Sequence, residues 1–488
     1  MPAAHRFALL LLLTLEAVTA QAETTDAPTE ALSARLPQVL SLASLGMLTV
    51  QPASVSITRD GSTYRVRLPL TGLSAPPDAA VTAVARPLRQ GGFEVSSMAF
   101  PPNGTLQTVL GNGTPSRIAF SIGSQAAAAK LGPTPTAETS YTAAFGAIQT
   151  HTEQADQRID QTIDHFASDG TVVAAPDRRI SFSTQNQATG LHLAGHGTDG
   201  GSSDTAIRAL AGHVAIDGLD QAQGGRLLAA VRALIASPPA RPQPPMHPQP
   251  LAPATSPAQR QQLRAVVDAA PGLLNRIEAD ETIQDIRFRF APASGTAAGT
   301  IDTLRLHIAG DVARNRLDGR LAIVADGIAS STVPPQTQDL VPRHIDFRTV
   351  LAGVPTAGLI ALLRTATEAP SDPALLQAQA TALLAEPGAR IAIQALSIDA
   401  GPLAITGSVN LRPPATAGLA GNVHIAARGL DAWLARFQRL PAVRQALPII
   451  FLAKALARTQ GDSLVWDISF GDGPLTVNGT PLGQPGTP

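Results

Sequence analysis

The side chains best suited to chemistry gather in one short stretch, GLHLAGHGTDGGSSD, at residues 190–204. His192, His196, Asp199 and Ser202 are the residue types of a hydrolytic triad, and two histidines four apart bind metal when they share a helix face. Each chemistry needs more than composition. A serine nucleophile needs a rigid turn and an oxyanion hole, and no GxSxG elbow occurs in the chain. A helical metal site needs helix, which Gly195, Gly197, Gly200 and Gly201 oppose, and the glutamate of HExxH is missing. The expectation is a glycine-rich surface loop with strand-and-loop histidines, and no catalytic, cofactor-binding or metal residue is assigned. A periplasmic hydrolase built on the His192–Ser202 loop is the alternative.

Three other stretches invite a function. In HTEQADQRIDQTIDHF, Asp156, Asp160 and Asp164 recur every fourth residue with Ile159, Ile163 and Phe166 opposite. Such an acidic stripe on a helix could bind cations, but a solvated face of an amphipathic helix or an outward strand face is the expected reading. GNGT at 111–114 lacks the strand-to-helix setting of a dinucleotide site, and no GxxxxGK[ST] phosphate loop is present. LPIIFLAKALAR at 447–458, with Lys454 and Arg458 near its end, could lie on a membrane surface. Packing against a sheet is expected instead.

Composition narrows the partners. With 36 basic against 37 acidic residues the chain has no broad field to attract nucleic acid, and 3% aromatic content is poor for binding sugars or bases by stacking. No cysteine means no disulfide, thiolate metal site or lipobox. His5 and Arg6 precede the apolar run FALLLLLTL, and Ala20-Gln21-Ala22 has the small-x-small form of a cleavage site. Residues 1–22 therefore read as a signal peptide cleaved after Ala22, with the mature protein in the periplasm; an uncleaved inner-membrane anchor is the alternative. Contact of the mature chain with a membrane is expected to be peripheral at most.

What must position any site is a β-rich scaffold. Proline density over 237–257 forbids helix interior and central strand, so a linker separates a β-rich domain at 23–236 from another at 258–488. ASVSITRDGSTYRVRLPL alternates on both sides of Asp60-Gly61, a half-buried hairpin. Further strands are expected at 93–99, 116–122, 179–184 and 190–194, then at 286–290, 304–308, 391–398, 403–411, 464–470 and 473–482, the last with an Asn478-Gly479 turn.

One phrase occurs three times: Leu210, Gly212, Val214, Ile216; Leu317, Gly319, Leu321, Ile323; and Leu419, Gly421, Val423, Ile425. Period two marks a strand, and each copy runs into Gly and an aliphatic residue, Gly218-Leu219, Gly327-Ile328 and Gly429-Leu430. Helical patterns follow the first and third copies, with Asp220 and Asp431 placed to cap them. After the middle copy, 345–365 supplies strand, turn and helix following a detour. The fold class expected is α+β and β-rich: long curved antiparallel sheet with a one-sided apolar face, partly covered by short amphipathic helices.

PGARIAIQALSIDAGPLAITGSVNL, LAGNVHIAARGLDAWLARF and GDSLVWDISFGDGPLTVNGTPL together resemble the C-terminal region of AsmA-like and YdgA-like bacterial envelope proteins, including related alphaproteobacterial families of unknown function. The resemblance covers residues 388–482, and 280–330 more loosely. It implies a role in envelope biogenesis or lipid handling and carries no catalytic residue to transfer. The cleavage site departs from the retained anchor of many AsmA-like proteins. The function expected is non-enzymatic, with lipid or an envelope protein as occupant of an apolar sheet face and no nucleic acid; a purely structural accessory role is the further alternative.

Overall fold

The structure is a computed structural model that describes Thr29, Leu32, Ser33 and Leu36 and then 55–482 apart from 70–79, 110–114, 135, 155–156, 178, 198–199, 237–256, 292–295, 369–372, 413–419, 439 and 472–473. Residues 1–22, expected to be a signal peptide, lie outside the described residues, as do the GNGT stretch, Asp156, Asp199, Leu419 and nearly all of the proline-rich stretch. Pro257 is helical, at a start position proline tolerates. The described strands pair antiparallel in one sheet of 22 strands that does not close on itself. By contacts the chain divides into two compact units. The first runs to Ser202 and adds Ala211–Asn275 and Leu363–Pro370; the second is Ser203–Leu210, Arg276–Leu362 and the chain from Ser371 on.

The first unit is a meander. β1 (Ser56–Asp60) and β2 (Thr63–Pro69) form the expected hairpin over Gly61, whose φ of 61° suits the turn. β3 (Ala80–Pro87), β4 (Phe93–Ala99) and β5 (Asn103–Val109) lead to long strands: β6 (Pro115–Leu131), β7 (Thr139–Gln154), β8 (Gln157–Ala174) and β9 (Arg179–Gly197). β10 (Ser202–Asp220) follows, then α1 (Gln221–Ala236) and α2 (Pro257–Ala269). Val66, Leu68, Val81, Val95 and Leu131 form a closed core with Leu32 and Leu36, two helical residues four apart that are 0% exposed.

Strands of 16–19 residues are far longer than the usual five or six, and here each keeps its apolar face through a break in alternation. In β7, odd-numbered Tyr141, Ala143 and Phe145 are buried, yet beyond the break even-numbered Ile148 packs on the same core. The ladders omit the pairs Gly123/Ala147 and Ala147/Asp164, and Ala147 has φ 50°. Gly190 does the same for β9 at φ 63°. One left-handed residue turns the pleat over, so the residues after it point to the face they would otherwise have left. Ile163 lies opposite Ile148 and Phe166 opposite Phe145, which puts both on the apolar face although they are three positions apart, an odd spacing. The four-then-three spacing of Ile159, Ile163 and Phe166 is therefore an interrupted strand that imitates a helix; of the two expected readings, the strand face is the one observed.

The second unit continues the style with β11 (Arg276–Ala291), β12 (Ala297–Ala313), β13 (Arg316–Asp326), β14 (Ala329–Ser330), β15 (His344–Pro355), β16 (Arg390–Ala400), β17 (Leu403–Arg412) and β18 (Ala420–Arg428), then β19 (Arg458–Gln460), β20 (Ser463–Phe470), β21 (Thr476–Val477) and β22 (Thr480–Pro481). α3 (Thr356–Thr367) and α4 (Pro373–Ala385) intervene before β16, and α5 (Leu430–Phe437) and α6 (Pro441–Leu456) before β19. The Asn478-Gly479 turn forms with φ 51° and 79°, the left-handed pair this dipeptide favours.

The repeated phrase is a strand in all three copies, in β10, β13 and β18, and each ends on a left-handed glycine: φ 64° at Gly218, 66° at Gly327 and 71° at Gly429. α1 and α5 follow the first and third copies, and β15 runs into α3 after the second, as expected. Asp220 caps α1 by accepting from the Gln223 amide at 2.9 Å. Asp431 does not cap α5: Gly429 holds the cap position with no side-chain bond, and the Asp431 carboxylate pairs with Lys454.

Candidate functional site

Most of the glycine-rich stretch is strand, with β9 running on to Gly197 and β10 starting at Ser202, and Gly200 and Gly201 belong to neither strand. His192 and His196 lie in β9, opposite Thr162 and Arg158, within a single strand where two short ones were expected. Glycine is tolerated there because β8 ties down the backbone from His192 to Gly197. Four residues of strand separate the two imidazoles by about 13 Å, too far to share an ion, where a helix would bring them within about 6 Å. Ser202 is exposed at the start of β10.

The serine and histidine that the structure does join were not singled out by sequence. Ser183 Oγ is 3.1 Å from His213 Nε2, across β9 and β10. Among the described residues the ring has no carboxylate partner, and Ser183 sits in the β8–β9 ladder opposite Thr171. A strand serine of this kind has no turn of free N–H groups beside it to hold an oxyanion. Period-two spacing shows such residues to be strand residues but cannot say which strand lies alongside.

Asp160, from the acidic stripe, is occupied: its carboxylate takes His151 Nδ1 at 2.5 Å and Arg158 Nε at 3.1 Å. The hydrogen bond lowers the Asp160 pKa and, with a second one to Glu153, raises that of His151. The same directly opposed His-Asp pair recurs on the second unit as His307 with Asp280 at 2.7 Å, His344 with Asp326 at 2.6 Å and His424 with Asp467 at 2.7 Å. These cross-strand pairs line the polar face. A hollow of about 360 Å³ on that face is bordered by Arg305, Arg320 and Arg348. Two of those cations are already engaged, Arg305 with Asp326 at 3.4 Å and Arg348 with Asp346 at 2.9 and 2.8 Å.

The opposite face of the second unit has a different character. Directly opposed residues run Glu281, Leu306, Ile323, Phe347, Leu396, Gly407, Ile425, Trp466 across eight strands, β11 to β20. A parallel row runs Ala279, Ile308, Leu321, Thr349, Ile393, Val409, Val423, Ile468. Alternation builds both rows, since Asn422 and His424 between them are exposed on the other side. Every member of the first row is only half-buried, and Ile308 is 43% exposed. The face is apolar but not closed over, unlike the core of the first unit.

Glu281 is the acid in that row. Burial pushes its carboxyl pKa up, and among the described residues it has no hydrogen-bond or ion-pair partner. At the other end Trp466 Nε1 donates to the Ala453 carbonyl of α6 at 2.6 Å, so α6 covers the Trp466 end of the row. Leu434 and Phe437 of α5 are buried as expected. The expectation for 447–458 is corrected: α6 does touch the sheet, but Ile449, Phe451 and Leu452 point away from it, 72%, 55% and 63% exposed, and Arg458 opens β19. The helix carries apolar residues all round, so its sequence could not say which of them face inward.

Among the described residues no helix is long and apolar enough to cross a membrane. The family model described as an uncharacterized protein conserved in bacteria (DUF2125) matches residues 230–485, more than half of the chain, and the chain belongs to that family. Comparison with curated proteins and with solved structures gave no match.

Proposed function

We propose that this family member is a non-enzymatic protein of the bacterial envelope that holds the acyl part of a lipid along the apolar face of its second unit. The row from Glu281 to Trp466 supports the reading, being apolar over most of its length with no member fully covered. Seven strand steps of about 4.8 Å span about 34 Å, more than the single leaflet, half of the roughly 30 Å hydrocarbon thickness, that one acyl chain occupies. An extended acyl chain fits lengthwise. Burial of Glu281 at the margin of the strip raises its carboxyl pKa, so the site disfavours a charge there. The resemblance of residues 388–482 to AsmA-like envelope proteins agrees with this use, and the apolar run before Ala20-Gln21-Ala22 agrees with export and cleavage after Ala22.

The test is organic extraction of the protein purified from bacterial envelopes. Acyl chains are expected in the extract, and Phe347→Glu, which places a charge in mid-row, is expected to remove them while the protein stays folded. Wild-type protein that yields no acyl chain above a mock purification would refute the proposal. Labelling of Ser183 or Ser202 by a serine-directed probe would favour a hydrolase instead.

A further inference from the structure

α6 carries apolar side chains on both of its sides. The inward side holds half-buried Val443, Leu447 and Ile450, and two backbone carbonyls tie it down: Ala453 accepts from Trp466, and Leu456 accepts from Asn478 Nδ2 at 2.8 Å. Its outward side presents Ile449, Phe451 and Leu452, the three most exposed large apolar side chains among the described residues. A soluble helix loses stability by facing this way, and a contiguous exposed apolar group marks a surface meant to be covered.

Charge identifies the cover. The helix PAVRQALPIIFLAKAL contains Arg444 and Lys454 and no acidic residue. Arg444 is exposed and makes no side-chain ion pair among the described residues, while Lys454 pairs with Asp431 at the start of α5. An apolar group with an unpaired cation one to two turns away suits an anionic lipid surface, where apolar side chains enter the acyl boundary and a basic residue meets headgroups. At 16 residues, α6 is also too short to span and long enough to lie flat.

We infer that α6 is a membrane-docking helix, which inserts Ile449, Phe451 and Leu452 into the interface of an anionic bilayer with Arg444 at the headgroups. Docking there sets the Trp466 end of the apolar row beside the bilayer. The inference does not depend on the row carrying a lipid, because α6 uses its outward side for the bilayer and its inward side for the sheet.

The experiment is flotation of the mature protein with vesicles of phosphatidylethanolamine and phosphatidylglycerol in equal parts, with phosphatidylcholine vesicles for comparison. The wild type is expected to float with the anionic vesicles. The double variant I449S/L452S is expected to bind at least about tenfold more weakly, and Arg444→Gln about fivefold more weakly on anionic vesicles alone. Both replacements are at exposed positions, and unchanged thermal unfolding confirms that the fold is kept. Phe347→Glu should float like the wild type, which separates this inference from the acyl-binding one. Undiminished flotation of I449S/L452S would overturn it. So would a wild type that ignores vesicles but forms a dimer which I449S/L452S dissolves, since the cover would then be a second copy of the chain.

Discussion

Replacing Gly429 by alanine tests why the repeated phrase ends on glycine. At φ 71° an alanine adopts a left-handed conformation that costs about 1–2 kcal/mol. Its Cβ would also stand 1.8 Å from the Pro402 carbonyl oxygen, a backbone atom in the turn between β16 and β17. That turn must move, and overpacking of this kind costs about 1–3 kcal/mol more. The sum for Gly429→Ala is about 2–5 kcal/mol. Gly461, in the same unit, is the control: φ is 62° and nothing lies within 4 Å of a built Cβ, so only the conformational part applies. Urea unfolding of the two variants isolates the steric part as their difference. Gly218→Ala should fall between, because its nearest obstacle is the end of a side chain, Asn275 Nδ2 at 2.2 Å, which can swing aside; Gly327→Ala should cost more than Gly218→Ala, since Asp302 obstructs it down to its Cβ at 2.6 Å. Equal costs for Gly429→Ala and Gly461→Ala would refute the claim that the phrase closes against a neighbouring turn.

Other outcomes follow from burial and charge. Ile425→Ala, at a half-buried site opposite Gly407 and Trp466, should cost about 1–2 kcal/mol in urea unfolding, against less than about 0.5 kcal/mol for exposed His424→Ala. In a proton NMR titration, Asp160→Asn should lower the His151 midpoint, since the hydrogen bond to Asp160 is the main cause of its raised pKa. The His151-Asp160 pair should contribute most between the unfolded pKa values of Asp and His, about 4 and 6.5. That contribution is lost as pH falls through the depressed Asp160 pKa or rises through the elevated His151 pKa. Glu281 has the opposite sign: a raised carboxyl pKa destabilises the folded state as pH climbs from the unfolded value, about 4.3, through the folded one. Glu281→Leu should therefore raise the urea midpoint at pH 7 more than at pH 4, and an equal rise at both would contradict a buried, unpaired carboxylate.

Much of the scaffold could be read directly. Strict alternation located the β1–β2 hairpin, β4, β17 and β20, and Asn478-Gly479 located its turn, because one-sided burial imposes period two and a left-handed pair needs those residues. The phrase at 210, 317 and 419 was legible as strand followed by turn for the same reason. Alternation failed where the backbone itself breaks it. Asp164 and Gly190 interrupt the ladder, and the residues beyond them change parity without changing face, so β8 resembled a helix and β9 looked like two strands with a loop. The apolar row was legible only strand by strand. Which residue opposes which depends on the order and register of strands far apart in sequence, so Glu281 at its margin carried no signal of its own.

A sheet with one apolar face has to cover that face, and the two units do so by different means. In the first, Leu32 and Leu36 join a core whose central side chains reach 0% exposure, leaving nothing for a ligand. In the second, α5 turns Leu434 and Phe437 inward at the β17 end, and α6 grips Trp466 through a backbone carbonyl while directing Ile449, Phe451 and Leu452 outward. The strip from β11 to β16 keeps half-exposed leucine, isoleucine and phenylalanine. Shortage of apolar residues does not explain this, since Ile449, Phe451 and Leu452 are to hand on a helix already seated at that face. Each fully buried side chain of this kind is worth about 1.5–3 kcal/mol, so a helix serving only stability would carry them on its inner side. On the proposed reading the two surfaces serve separately, the open strip of the sheet for an acyl chain and the outward side of α6 for a bilayer, with the body of the helix between them at Trp466.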